Sequence, residues 1–307
     1  MIVFATSDKG GTGRSVTSCN IAHRLCASGR STVYVDFDFG SPTAGAVFEI
    51  GTIERGTAPG TGTHSFLTGR NSVVHSVDVH KQTDRQDLRK HRTRLAKLTL
   101  LPGDEGGGEL TKLADYPGIV TRCVELLLGL AAANKVVIVD LSAGRSVALE
   151  LALRAAATPQ MRATTVRWLV FHRWTRQHIL AAGGLMLGPN GLLRGGAAAG
   201  HDAEELRRNM RFVRTAVPQL NTPTSAATAP QAAWQNKQES ALRALASTER
   251  IGETVLIGAT PVEPVLQWRE QLILDVDVSA GIANAATVTA FQELARKLVS
   301  RDEWQEV

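Results

Sequence analysis

The chain has 307 residues, 43% of them hydrophobic and 21% charged, with a formal net charge of +5; that length buries a sizeable core without covalent staples. Three cysteines, Cys19, Cys26 and Cys123, are too few and too scattered for a disulfide framework or a metal cluster, so a reducing, cytoplasmic setting fits. No signal peptide is expected at the N-terminus and no apolar run approaches the ~18 residues of a membrane-crossing helix, so no membrane insertion is expected.

Residues 1–7 are an apolar strand's length and lead directly into a glycine-rich turn, residues 8–15 with the sequence DKGGTGRS. Val16, Cys19, Ala22, Leu25 and Cys26 then recur at helical spacing, so the turn joins a buried strand to a helix N-terminus. Gly10, Gly11 and Gly13 let successive backbone N–H groups close on an anion, and the helix N-terminus adds its partial positive charge. Lys9 and Arg14 supply full charges, and Ser15 is placed to ligate Mg²⁺. The pattern G-x-x-x-x-G-K-[ST] is broken twice, by Asp8 and by Arg14. Residues 9–15 nevertheless resemble the deviant Walker A motif, K-G-G-x-G-K-[ST], of the ParA/MinD family of P-loop ATPases. The resemblance implies that Gly10, Gly11, Thr12, Gly13, Arg14, Ser15 and Val16 bind ATP, and that Lys9 reaches the nucleotide of a second copy in an ATP-dependent homodimer.

Residues 31–38 form a second strand that ends in Asp36 and Asp38, which period two puts on one side. The segment VDFD resembles the family's V-D-x-D motif, which implies that Asp38 orients or deprotonates the attacking water and that Asp36 lies near Mg²⁺. Residues 51–97 are irregular: 56–62 read as a flexible turn. Over 81–97, cations outnumber acids and no aromatic side chain interleaves them, so a solvated helix face is favoured over a nucleic-acid patch. A strand over 98–104 and a helix over 110–133 follow. Residues 136–139 are four consecutive β-formers delivering Asp140 to a strand end, which resembles a Walker B strand with Asp140 on Mg²⁺ and Gly144 as the glycine near a γ-phosphate.

A strand over 166–172 meets a basic, aromatic helix start over 173–178; the glycine- and alanine-rich residues 181–200 read as a mobile excursion. After a strand over 212–217, residues 218–240 are expected to be irregular, with 222–233 a loop. The final strand and exit, 254–264, resemble the family's adenine-pocket segment, with Pro261 and Val262 as its apolar wall. An amphipathic helix over 287–300 closes the chain, and its acidic tail is unlike a basic membrane-binding helix.

Seven strand-like runs alternating with helices predict one domain over 1–307: a doubly wound, mainly parallel α/β sheet. The resemblance implies an ATP- and Mg²⁺-dependent dimerisation switch that positions a protein cargo or answers a protein activator. Nonspecific DNA is a further partner, through 81–97, Arg173, Arg176, Arg207, Arg208 and Arg211. Arg14 raises the alternative of a hydrolysis-deficient nucleotide-binding scaffold, because a planar guanidinium does not replace a lysine conservatively. An iron-sulfur carrier is disfavoured because all three cysteines precede the 135–140 strand, and a tyrosine kinase because only Tyr34 and Tyr116 are present.

Overall fold

Alternation along the strands sorts their side chains between two helical layers. In β1 (Ile2–Thr6), Ile2 and Phe4 join one core cluster while Val3 and Ala5 join the other. In β2 (Thr32–Phe37), Val33, Val35 and Phe37 face the first layer and Tyr34 the second. The computed structural model describes residues 1–90, 96–107, 116–219 and 228–305. Its remaining strands are β3 (Val77–Asp78), β4 (Leu98–Leu101), β5 (Val136–Leu141), β6 (Val166–Arg173), β7 (Met210–Val217) and β8 (Leu256–Pro261). They form one sheet in the order β3-β4-β2-β5-β1-β6-β7-β8, parallel except for β3 on β4. Both faces are covered, as a parallel sheet with helical crossovers requires. β1 lies between β5 and β6, so strand order reverses there, where open α/β sheets bind ligands beyond the strands' carboxyl ends.

The doubly wound sheet is the expected one, with an eighth strand added. β3 has two residues, too few for an alternation to register in sequence. Asp140 therefore ends the fifth strand rather than the fourth. Helix α1 (Arg14–Ala27) is buried almost all round, including Ser18, Asn20, His23 and Arg24. Its polar residues have partners: Asn20 accepts from Ile273 N at 2.9 Å and Arg24 pairs with Asp275 at 2.8 Å.

Three expectations of irregular or mobile chain need correction. Residues 56–62 are not a flexible turn, because Asp104 accepts hydrogen bonds from Gly60 N, Gly62 N, Ser65 N and the Ser65 hydroxyl at 2.7–3.1 Å. A Cβ on Gly62 would lie 2.5 Å from Asp104 N, so the close approach itself requires glycine. Residues 181–200 are not a mobile excursion but parts of two helices, Arg176–Leu187 and Leu192–Ala199. Their glycines permit close packing: a Cβ on Gly183 would come 2.5 Å from the side chain of Glu249, the C-cap of the neighbouring helix. That neighbour, Ala229–Thr248, overturns the irregular reading of 229–240; residues 220–227 lie outside the described residues.

The basic run divides. Arg85 is drawn inward between Glu49 (3.4 Å) and Asp277 (2.5 Å), while Lys81, Arg89 and Lys90 are exposed; residues 91–95 lie outside the described residues. The helix foreseen from 110 is described over Tyr116–Ala133, and 110–115 lie outside the described residues. At 18 residues and a mean hydropathy of 1.3 it is long and apolar enough to cross a membrane, contrary to expectation. Here Ile119, Cys123, Val124 and Leu127 pack it into the first core cluster. Helix Ala285–Val299 buries Val288, Phe291, Leu294, Ala295 and Leu298 as its pattern foretold.

Candidate functional site

The loop after β1 is bolted down on its inner side and open on its outer side. Gly11 and Gly13 have φ of 69° and 73°, the left-handed region where only glycine is unstrained. Gly13 caps α1 with no side-chain hydrogen bond, and no acidic residue stands in the first turn, so the helix N-terminus keeps its affinity for anions. The Thr215 hydroxyl of β7 donates to Thr12 O and to His172 O (3.2 Å), which fastens the loop to the sheet. On the other flank Gly144 N donates to Ser7 O at 2.7 Å, and Arg145 pairs with Asp8 at 2.6 Å. Lys9, Gly10, Gly11 and Gly13 remain exposed. Gly144, with φ 78°, here donates its N–H to the loop's own backbone. Asp8 and Arg145 could not be paired from sequence, since they are 137 positions apart and follow no pattern.

Beneath the loop lie the carboxylates. Asp36 and Asp140 are register partners on β2 and β5, both 2% exposed, and Asp38 follows at 22%. Arg14 does not turn outward to the phosphate cradle as expected but inward to these acids. Its Nε donates to Asp140 Oδ1, Nη2 to Asp38 Oδ2 at 3.0 Å and to the Ser15 hydroxyl at 3.4 Å, and Nη1 to the Ser7 hydroxyl at 3.3 Å. Burial works against the Arg14 charge, but the attraction of Asp140 and Asp38 outweighs it and raises the pKa. Tyr34 gives its hydroxyl hydrogen to Asp140 Oδ2 at 2.8 Å. Asp36 accepts from Asp38 N (3.0 Å) and Ala44 N (3.2 Å), while burial and then the Asp140 charge push it up to about 8.

These contacts do not fit the metal seat expected of Ser15, Asp36 and Asp140. Both oxygens of Asp36 and both of Asp140 already accept hydrogen bonds, and the Ser15 hydroxyl faces a guanidinium. Among the described residues no group of three His, Cys, Asp or Glu could hold a metal ion.

Beside the loop a cavity of about 200 Å³ is lined by Gly11, Gly13, Val16, Ala216, Pro261 and Glu263, among others. Of the two residues expected to form an adenine wall, Pro261 lines this cavity, whereas Val262 is 39% exposed and outside its lining. Ala216, with φ 51°, marks the irregular end of β7 at this cavity. Glu263, buried and unforeseen, accepts from Asn284 N (2.9 Å) and the Thr287 hydroxyl (2.6 Å), joining the β8 exit to the last helix. Of the arginines expected on DNA, Arg173 lines the cavity and Arg176 and Arg208 are exposed. Arg211 is buried, bonded to Glu303 O and stacked on Trp304, and is unavailable to a polyanion.

His172, at the end of β6, is buried among Trp174 and Phe212 with no hydrogen-bond partner on Nε2 among the described residues. Burial lowers its pKa to about 4. A histidine held below its unfolded value of ~6.5 contributes full stability above that pH and loses it as pH falls toward the folded value, here about 3 kcal/mol in all. His172→Phe is expected to flatten the fall of melting temperature between pH 6.5 and pH ~4.5; an unchanged slope in thermal melts would assign the acid sensitivity elsewhere.

Neither a family model nor a curated protein matches the sequence. Solved structures match its fold. MinD of Aquifex aeolicus is 17% identical, with 97% of this chain and 96% of that one covered at a TM-score of 0.61. The chain has the ParA/MinD ATPase fold. The pNOB8 ParA bound to nonspecific DNA is 14% identical over 99% of both chains (TM-score 0.57). MinD of Pyrococcus horikoshii, complexed with Mg-ADP, is 15% identical over 97% of this chain and 96% of that one (TM-score 0.54).

Proposed function

We propose that this chain is an ATP-binding switch that pairs two copies and turns over slowly, holding a protein cargo or DNA while paired. The observation that carries the reading is the open loop over residues 9–15, set between a cavity suited to a base and Asp38 at the sheet's carboxyl edge. Backbone N–H groups and Lys9 supply the charge complement for a triphosphate. Slow turnover follows from Arg14, since Asp38 cannot serve a water freely while one of its oxygens accepts from a guanidinium. Among the relatives of this fold, one is a complex of MinC with MinD and one holds nonspecific DNA, which is why both kinds of cargo are proposed.

The same Arg14 contacts favour a second reading, a scaffold that binds nucleotide without hydrolysing it. Phosphate release by the wild type against Asp38→Ala separates the two. A wild-type rate above the variant supports the switch, and equal rates leave the scaffold. Sedimentation with ATP tests the pairing: Lys9→Ala is expected to stay monomeric where the wild type dimerises, and an ATP-induced Lys9→Ala dimer would remove Lys9 from the interface.

A further inference from the structure

Taking the nucleotide reading of residues 9–16 as given, we infer that this chain binds its nucleotide without a divalent cation, the Arg14 guanidinium standing between Asp38, Asp140 and the Ser15 hydroxyl where a bridging cation would sit. A divalent cation of the Mg²⁺ class needs near-octahedral oxygen ligands, some of them from the protein. Both oxygens of Asp140 are engaged, one by Arg14 and the other by Tyr34, so a cation would have to compete with a buried guanidinium for them. Both oxygens of Asp36 accept from backbone N–H groups.

The cation already present is hard to displace. Arg14 is 6% exposed and holds both acids through different nitrogens of one rigid fork, with the Ser7 hydroxyl on a third. Its planar geometry suits such multidentate contact, whereas a lysine at this position would be a single mobile charge. A metal ion entering beside it would meet a fixed positive charge a few ångströms away at low dielectric. Displacing Arg14 instead would strip a buried cation from two carboxylates. Charge neutralisation of the acids under the loop is therefore built into the chain, and a triphosphate has only the loop N–H groups and Lys9 to satisfy.

Two measurements on the full chain test this. The first is binding of a fluorescent ATP analogue in Mg²⁺ or in excess EDTA. The wild type is expected to bind with the same affinity to within about twofold, while Arg14→Lys is expected to gain about tenfold or more from Mg²⁺, as relief of a buried charge contact allows. A wild-type affinity that falls tenfold or more in EDTA would overturn the inference. The second measures Mn²⁺ binding by electron paramagnetic resonance without nucleotide. No wild-type binding is expected below millimolar Mn²⁺, and saturable binding that Asp140→Asn abolishes would also overturn the inference. If the wild type binds no analogue under either condition, the nucleotide reading itself fails, an outcome distinct from metal-dependent binding. Should Arg14→Lys not fold, both wild-type measurements still decide.

Discussion

Replacing Arg14 by alanine is expected to destabilise the chain by about 3–5 kcal/mol, the usual cost of removing one partner from a buried ion pair. The loss falls on the acids left behind. Asp140, 2% exposed, would keep only the Tyr34 hydroxyl, and Asp38 would lose its guanidinium contact. Arg14→Lys keeps the charge and should cost less, because an ammonium can reach one carboxylate but cannot bridge both in a fork. The mechanism is isolated by a double-mutant cycle with Asp140→Asn, read from urea unfolding midpoints. Removing the Asp140 charge should recover part of the Arg14→Ala loss, with a coupling of at least about 1 kcal/mol between contacting groups. Strict additivity would mean that the two side chains do not depend on each other for stability.

That interdependence is also what the sequence could not express. The positions of Asp36 and Asp140 were legible because each ends a run of β-formers, and parallel register then sets them side by side. The glycines at 11 and 13 were legible because a strand-to-helix turn with positive φ has little other choice of residue. The direction of the Arg14 side chain had no local determinant: the first helical position fixes its Cα, but the inward turn is decided by acids 24 and 126 positions away. The glycine- and alanine-rich residues 181–200 misled for a related reason. In isolation such composition suggests mobility, while here Gly183, Gly191 and Gly196 are small because Glu249, Leu185 and Leu206 press against them. The polar side of α1 is another case, since Asn20 and Arg24 break its apolar stripe yet are buried against 271–275.

Asp104→Ala is expected to cost about 3 kcal/mol or more, because three backbone N–H groups and a hydroxyl lose one charged acceptor, each such bond contributing ~1.5–3 kcal/mol before relaxation. The carboxylate is 3% exposed, so water cannot easily replace it. Its bonds to Gly60, Gly62 and Ser65 hold the segment whose Thr63 hydroxyl donates to Asp36 O at 2.7 Å, tying residues 60–65 to the end of β2. Freed of Asp104, this segment should become a protease-sensitive loop and the backbone around Asp36 should loosen with it. The wild type carries a matching pH signature. Burial opposes the Asp104 charge, but hydrogen bonds from the Ser65 hydroxyl and the Ser65, Gly62 and Gly60 amides prevail and hold its pKa below the ordinary 3.8. A carboxyl depressed in the folded state contributes full stability above its unfolded value of ~3.9 and loses it only as pH falls through the lower folded value. Between pH 7 and 5 Asp104 should therefore contribute a constant amount, and the Asp104→Ala deficit in urea should shrink only below pH ~4. A deficit that already changes between pH 7 and 5 would show that another group coupled to Asp104 titrates there, with His64, whose charge Asp104 favours, the first candidate.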